Sequence, residues 1–245
     1  MTTARLPLFP LNSVLFPGLV LPLNVFEQRY RALMRDLAAL PDDGPRRFGV
    51  VAIRDGHEVA PSAPGLPEGM RPEPGPASGF GPDPMRAFYA VGCVADLTSV
   101  RARPDGTYEV LATGTTRFRL RSVDASGAYL TGECEHIEEE QGEGAGVLAS
   151  GVVRAFRAYQ KRLAGANESS LAGQSELPGE PRVLSYLVAA AAVLDTPAKQ
   201  RLLQASDTAS RLADELRLLR AETAVISKLP SLPAVALTQR PTSPN

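Results

Sequence analysis

The chain has 245 residues with 26 basic and 27 acidic side chains, a formal net charge of −1, and enough length for one large or two small domains with a genuine core. A balance that close to neutral gives no overall attraction to nucleic acid or anionic lipid and leaves only local patches to provide one. Two cysteines, Cys93 and Cys134, with no C-x-x-C pair, support neither a disulfide framework nor a standard zinc knuckle.

The opening stretch from Arg5 to Phe26 is strongly apolar, yet Pro7, Pro10, Pro17 and Pro22 recur through it and exclude one continuous helix. Pro17-Gly18 predicts a tight turn between extended runs at Asn12–Phe16 and Leu19–Asn24, a hairpin to be buried by later strands. Prolines in this apolar start and the lack of an A-x-A site argue against a signal peptide. The longest wholly apolar run, Leu187 to Leu194, falls short of the ~20 residues of a membrane span. No membrane association and a cytoplasmic location are expected.

Asn24 is placed to cap a helix over 25–40, in which Phe26, Tyr30, Leu33 and Leu37 share a face. Phe48 to Ile53 reads as a buried strand. Pro61 to Pro84 contains thirteen Gly or Pro in twenty-four positions and reads as a long surface loop. Strand patterning resumes at Phe88 and continues to Arg103, Pro104-Asp-Gly-Thr107 predicts a hairpin turn, and strands follow at Tyr108–Thr113, Thr116–Asp124 and Tyr129–Ile137. From Val147 the periodicity becomes helical: 147–163, Arg182–Asp195, Thr196–Ala205, and a long helix capped by Asp207. The expected organisation is a β-rich part over 1–140 carrying a Gly/Pro loop at 55–86, a helical bundle over 147–228, and a tail over 229–245.

Three blocks of residues carry a family resemblance. The first is Leu6-Pro-Leu-Phe-Pro-Leu-Asn, Val14-Leu-Phe-Pro-Gly, Leu21-Pro-Leu and Phe26-Glu-Gln-Arg-Tyr. The second is Val91-Gly-Cys-Val-Ala-Asp-Leu, Pro104-Asp-Gly-Thr-Tyr and Gly114-Thr-Thr-Arg-Phe-Arg. The third is Lys199-Gln-Arg-Leu-Leu-Gln-Ala before Arg211-Leu-Ala-Asp-Glu-Leu. In order and spacing they resemble the amino-terminal, substrate-binding domain of Lon proteases over about residues 5 to 227. The resemblance implies an α+β fold, a PUA-like mixed β domain followed by a C-terminal α-helical bundle. It implies a stand-alone, non-enzymatic module that binds unfolded or apolar-rich polypeptides, an adaptor or substrate-recognition factor for a separate ATP-dependent protease. The loop at 61–84 is longer than the family's usual connection.

Candidate chemistry is sparse. None of the three lysines, Lys161, Lys199 and Lys228, stands in a Walker A phosphate loop, and no Ser-Lys dyad is recognisable, so no catalytic residue and no cofactor are expected. Gly142-Glu-Gly-Ala-Gly146 sits between a strand and a helix, but the spacing is one residue short for a dinucleotide loop and four glutamates surround it, so it reads as a linker. Cys134 and His136 could share a metal with Cys93 and His57, but filler cysteines in a β core are the simpler reading and no metal is assigned. Arg117, Arg119 and Arg121 alternate along one strand, with Arg101 and Arg103 positioned to extend the stripe. They form an alternative basic patch for RNA, without the aromatic residues that base stacking uses. Phe16, Leu19 and Phe26, with Phe88 and Tyr89 across the sheet, are the candidate polypeptide-binding residues. A third reading is a small-ligand regulatory pocket between the β part and the bundle.

Overall fold

The computed structural model describes residues 3–41, 44–58, 75–163 and 176–228. Strands β1 (Thr3–Leu11), β2 (Val20–Val25), β3 (Arg47–Ala52), β4 (Val91–Ala102), β5 (Tyr108–Asp124) and β6 (Thr131–His136) form a single six-stranded sheet. Their order is β2-β5-β4-β3-β1-β6, and a further β5–β6 pairing closes the sheet on itself. The long β5 makes this closure possible: its first half, through Thr113, pairs with β2, and its second half, from Phe118, pairs with β6. Helices α1 (Gln28–Ala38) and α2 (Pro84–Ala87) interrupt the strands, and α3 (Ala145–Leu163), α4 (Pro181–Ala191), α5 (Thr196–Gln204) and α6 (Thr208–Lys228) follow them. The fold is therefore α+β, a mixed sheet followed by helices.

The opening stretch does not form the expected hairpin. Pro17-Gly18 does make a turn, with Gly18 at φ 80° and Leu19 N–H donating to Phe16 O at 3.2 Å. However, β1 pairs with β3 and β6 while β2 pairs with β5. The turn residues specify a reversal of the chain and say nothing about which strands flank it. Prolines are tolerated in β1 because it changes partner midway. Thr3 to Pro7 pair with β6 and Leu8 to Leu11 with β3, so each half leaves one side of the backbone off the ladder, where a missing N–H costs little.

Asn24 does not cap a helix; it lies in β2 opposite Glu109, and α1 begins three residues after Val25, with Glu27 at its N-cap position. Nor is β5 broken at Gly114, because a glycine there lets the loop ahead of β2 approach: a Cβ would stand 2.5 Å from Phe16 O.

One face of the sheet packs on α1 through Phe9, Tyr30, Leu33, Met34, Leu37 and Phe48. A second cluster fills the other side with Leu8, Val51, Phe118, Leu120 and Leu130. The described end of the Gly/Pro segment joins this cluster, contrary to its reading as a loop outside the core. Phe80 is buried and meets Phe88 edge-on at 4.8 Å, and the enclosed Arg29 on α1 donates to Ser78 O at 2.8 Å. Residues 59–74 of that segment lie outside the described residues.

In the helical part α3 and α6 run together, and α4 packs against α3, α5 and α6. Helices α4, α5 and α6 each begin at a capping side chain, of which the sequence predicts Asp207. Asp195 accepts from Ala198 N–H and Asp207 from Ser210 N–H, both at 2.8 Å, and Glu180 accepts from Val183 N–H at 2.7 Å ahead of Pro181. Of the expected Gly142–Gly146 linker, Ala145 and Gly146 already belong to α3, and the residues ahead of it are pinned where Glu140 O and Gln141 O accept from Thr208 and Ala209 N–H at the start of α6. A further cluster of Phe16, Val91, Tyr186, Ala189, Leu202 and Leu203 joins sheet to helices.

Candidate polypeptide-binding surface

The five aromatic and aliphatic residues expected to bind polypeptide are not gathered in one place. Phe16 is 1% exposed in the cluster that joins sheet to helices, with its ring 6.2 Å from that of Tyr186. Phe88 is 3% exposed against Phe80, in the separate cluster inside the sheet. Both are core residues: Phe16 opens the Pro17-Gly18 turn and Phe88 ends α2. Leu19 and Tyr89 are half-buried. Only Phe26, between β2 and α1, is largely open, at 52%.

The structure instead exposes a row that sequence reasoning missed. In the β2–β5–β4 ladder, Pro22 stands opposite Leu111 and Leu111 opposite Ser99, with Val20 opposite Thr113 one step along and Asn24–Glu109–Arg101 one step the other way. Side chains two apart share a face, so Val20, Pro22 and Leu111 form an apolar strip on the outside of the sheet, and Val20 is 58% and Leu111 38% exposed. Their alternate neighbours Leu21, Leu23, Val110 and Ala112 point to the core. The sequence of β2 does not mark its outward face, because Val20, Leu21, Pro22 and Leu23 are all apolar and only burial in the structure alternates along the strand. A groove of about 730 Å³ crosses this face, with Pro22, Asn24, Leu111 and Ser99 in its wall and Arg101, Arg103 and Glu109 at one end.

The charged end is internally paired. Arg103 donates to Glu109, and Arg101 Nη1 lies 3.9 Å from the same carboxylate. The Arg103 hydrogen bond and charge hold the Glu109 carboxyl below the ordinary range. Two guanidiniums against one carboxylate leave a modest positive rim.

The arginine stripe does not assemble. Arg117 is buried beneath α5, donating to Leu203 O and Ala205 O at 2.8 and 2.6 Å. Its Nε lies 2.8 Å from Glu139. Arg121 pairs with Glu135, and Arg119 is exposed. Arg119 stands opposite Val91 and Glu109 opposite Arg101, so Arg101 is ten residues along β4 from that point, roughly 33 Å at strand rise. Cys93 and Cys134 occupy different core clusters, and burial pushes both thiols up to about 12. His57 and His136 are exposed. No group of metal-ligating side chains is drawn together among the described residues.

Arg117 belongs to a network that fastens helices to sheet. Glu139 receives Arg117, Arg211 Nη2 at 2.8 Å and the Tyr186 hydroxyl at 2.5 Å, and the Arg211 guanidinium lies 4.0 Å over the Tyr186 ring. A cleft of about 560 Å³ opens beside it between the Pro17-Gly18 turn and the start of α4.

Comparison with known proteins decides the family. The family described as the ATP-dependent protease La (LON) substrate-binding domain matches residues 5–221. The chain belongs to the Lon substrate-binding domain family. Among curated relatives, Lon protease 2 of Syntrophobacter fumaroxidans is 28% identical over 85% of this chain, and the Lon protease of Escherichia coli strain K12 is 25% identical over 89%. The matches cover 23% and 25% of those proteins, so the chain spans about a quarter of their length. Two solved structures share the fold. The Lon N-terminal domain protein from Xanthomonas campestris has a TM-score of 0.52 at 23% identity, over 87% of this chain and 98% of that one. The N-terminal domain of the Mycobacterium avium complex Lon protease has a TM-score of 0.55 at 17% identity, over 90% and 98%. In this Lon substrate-binding domain no helix of the described residues is long and apolar enough to cross a membrane.

Proposed function

We propose that this Lon substrate-binding domain is a non-enzymatic polypeptide-binding module of the cytoplasm, which selects apolar-rich, unfolded chains as an adaptor or recognition factor for an ATP-dependent protease. The observation that carries this reading is the outward strip of Val20, Pro22 and Leu111 along a groove with a lightly charged end. Exposed apolar side chains in a contiguous strip mark interaction sites more often than single ones do. Burying two or three such side chains gives weak, broad affinity, since apolar area is worth about 25 cal/mol per Å² before the costs of association. That suits a module that must accept many sequences.

The test is anisotropy of a fluorescently labelled, permanently unfolded casein titrated with the purified chain. Leu111→Asp and Val20→Asp each lower affinity about tenfold while thermal stability is kept, because both side chains already face solvent. Binding changes little between low and moderate salt. A labelled RNA run in parallel distinguishes the competing chemistry, because phosphate contacts weaken steeply with salt. Tight RNA binding lost in Arg119→Ala, with no casein binding, overturns the proposal.

A further inference from the structure

The same face ends in an open strand edge. Strand β2 is terminal in the sheet order, bonded to β5 on one side only among the described strands. Gly114 N–H donates to Leu19 O at 2.8 Å, and Val20 stands opposite Thr113. In an antiparallel ladder that makes Val20–Thr113 a pair without mutual hydrogen bonds. Leu21, Leu23 and Val25 therefore turn their N–H and C=O toward β5, and Val20, Pro22 and Asn24 turn theirs to the open edge. Pro22, which has no N–H, thus sits where a proline leaves its own sheet intact. The free edge offers the carbonyls of Val20, Pro22 and Asn24 and the N–H groups of Val20 and Asn24.

We propose that the domain captures an extended polypeptide by adding it antiparallel to the open edge of β2, with apolar side chains of the added strand lying on the Val20–Pro22 side of the sheet. This deepens the polypeptide-binding reading and rests on it. The edge groups are backbone donors and acceptors at strand spacing, and another extended main chain is their complement. Residues of the added strand opposite Val20 and Pro22 project to the same outer face as those side chains, which selects apolar residues at alternate positions. Main-chain bonding is indifferent to sequence, so breadth follows from the backbone and a mild apolar preference from the strip. A second copy of this chain fits the edge less well, because its own Pro22 withholds a further donor where a proline-free strand supplies one.

The probe is a short fluorescent peptide alternating valine and threonine, compared with two forms N-methylated at the valine amides or at the threonine amides. In the antiparallel arrangement the valine amides face β2. Each net hydrogen bond is worth a factor of about two to ten, so the valine-methylated form binds at least about tenfold more weakly while the threonine-methylated form keeps its affinity. The reverse asymmetry makes the added strand parallel and overturns the antiparallel arrangement proposed. Pro22→Ala, which restores a donor, strengthens binding of the parent peptide about two- to tenfold, whereas side-chain burial alone makes it weaker. Equal binding of both methylated forms, with casein still bound, overturns edge addition and leaves the polypeptide-binding reading standing. Loss of casein and peptide binding alike overturns both. A dimer in sedimentation that the peptide does not displace gives the edge to a second copy and also overturns the proposal.

Discussion

Arg117 Nε lies 2.8 Å from Glu139 Oε2, with the Arg117 side chain almost wholly enclosed. Arg211, equally enclosed, reaches the other oxygen of the same carboxylate. One glutamate is thus the shared counter-ion of two buried guanidiniums, one from β5 and one from α6, and ties the sheet to the helices.

Removing that carboxylate leaves two buried charges without a counter-ion. Glu139→Ala is expected to cost about 3–5 kcal/mol, read from the denaturant midpoint. Burial pushes the Glu139 carboxyl up, but the Tyr186 hydroxyl and the Arg211 and Arg117 charges outweigh it and hold it below the ordinary range. The linked stability is therefore fully present above the unfolded value of about 4.3 and is lost as pH falls through the lowered folded value. The parent chain loses stability below about pH 4 more steeply than Glu139→Ala does. Parallel acid limbs for the two proteins contradict the network.

Glu215 on α6 behaves in the opposite sense. It is 2% exposed, and burial raises its carboxyl well above the ordinary value despite the Arg211 charge. The folded state then holds a proton that the unfolded state releases, so stability falls as pH rises above the unfolded value. Glu215→Met is expected to stabilise the protein, with a gain that is larger at pH 8 than at pH 5. A melting temperature lowered at both values shows that the carboxylate has a partner that Met cannot replace.

Phe80 anchors the end of the Gly/Pro segment in the core beside Phe88 and under Arg29, which lies 5.1 Å from its ring. Phe80→Ala is expected to cost about 3–5 kcal/mol, and replacing residues 61–84 by a short Gly-Ser link to lower the melting temperature for the same reason. Unchanged melting in both variants removes Phe80 from the stabilising core.

Cys93 and Cys134 are shielded thiols, both pushed up to about 12 by burial. At pH 8 the thiolate fraction is on the order of one in ten thousand, so an aromatic disulfide reagent should titrate neither cysteine until denaturant is added. Rapid labelling of the native protein contradicts this burial.

The sequence by itself determined what depends on neighbours along the chain. The turns at Pro17-Gly18 and Pro104-Asp-Gly-Thr107, the cap at Asp207 and the periods that separate strands from helices are all local, and three spaced blocks sufficed to indicate the family. Tertiary structure decided what depends on partners far away in sequence. Whether β2 pairs with β1 or β5, whether Gly114 ends a strand or admits Phe16, and whether Arg117 meets solvent or Glu139 are settled by packing, because an alternating pattern gives each residue a face without saying what covers it. Phe16 and Val20 are both apolar residues beside the same turn; one plugs the joint between sheet and helices and the other faces water. The difference is made by the helices that fold back from residue 181 onward over one side of the turn, while no described strand pairs with the outer edge of β2.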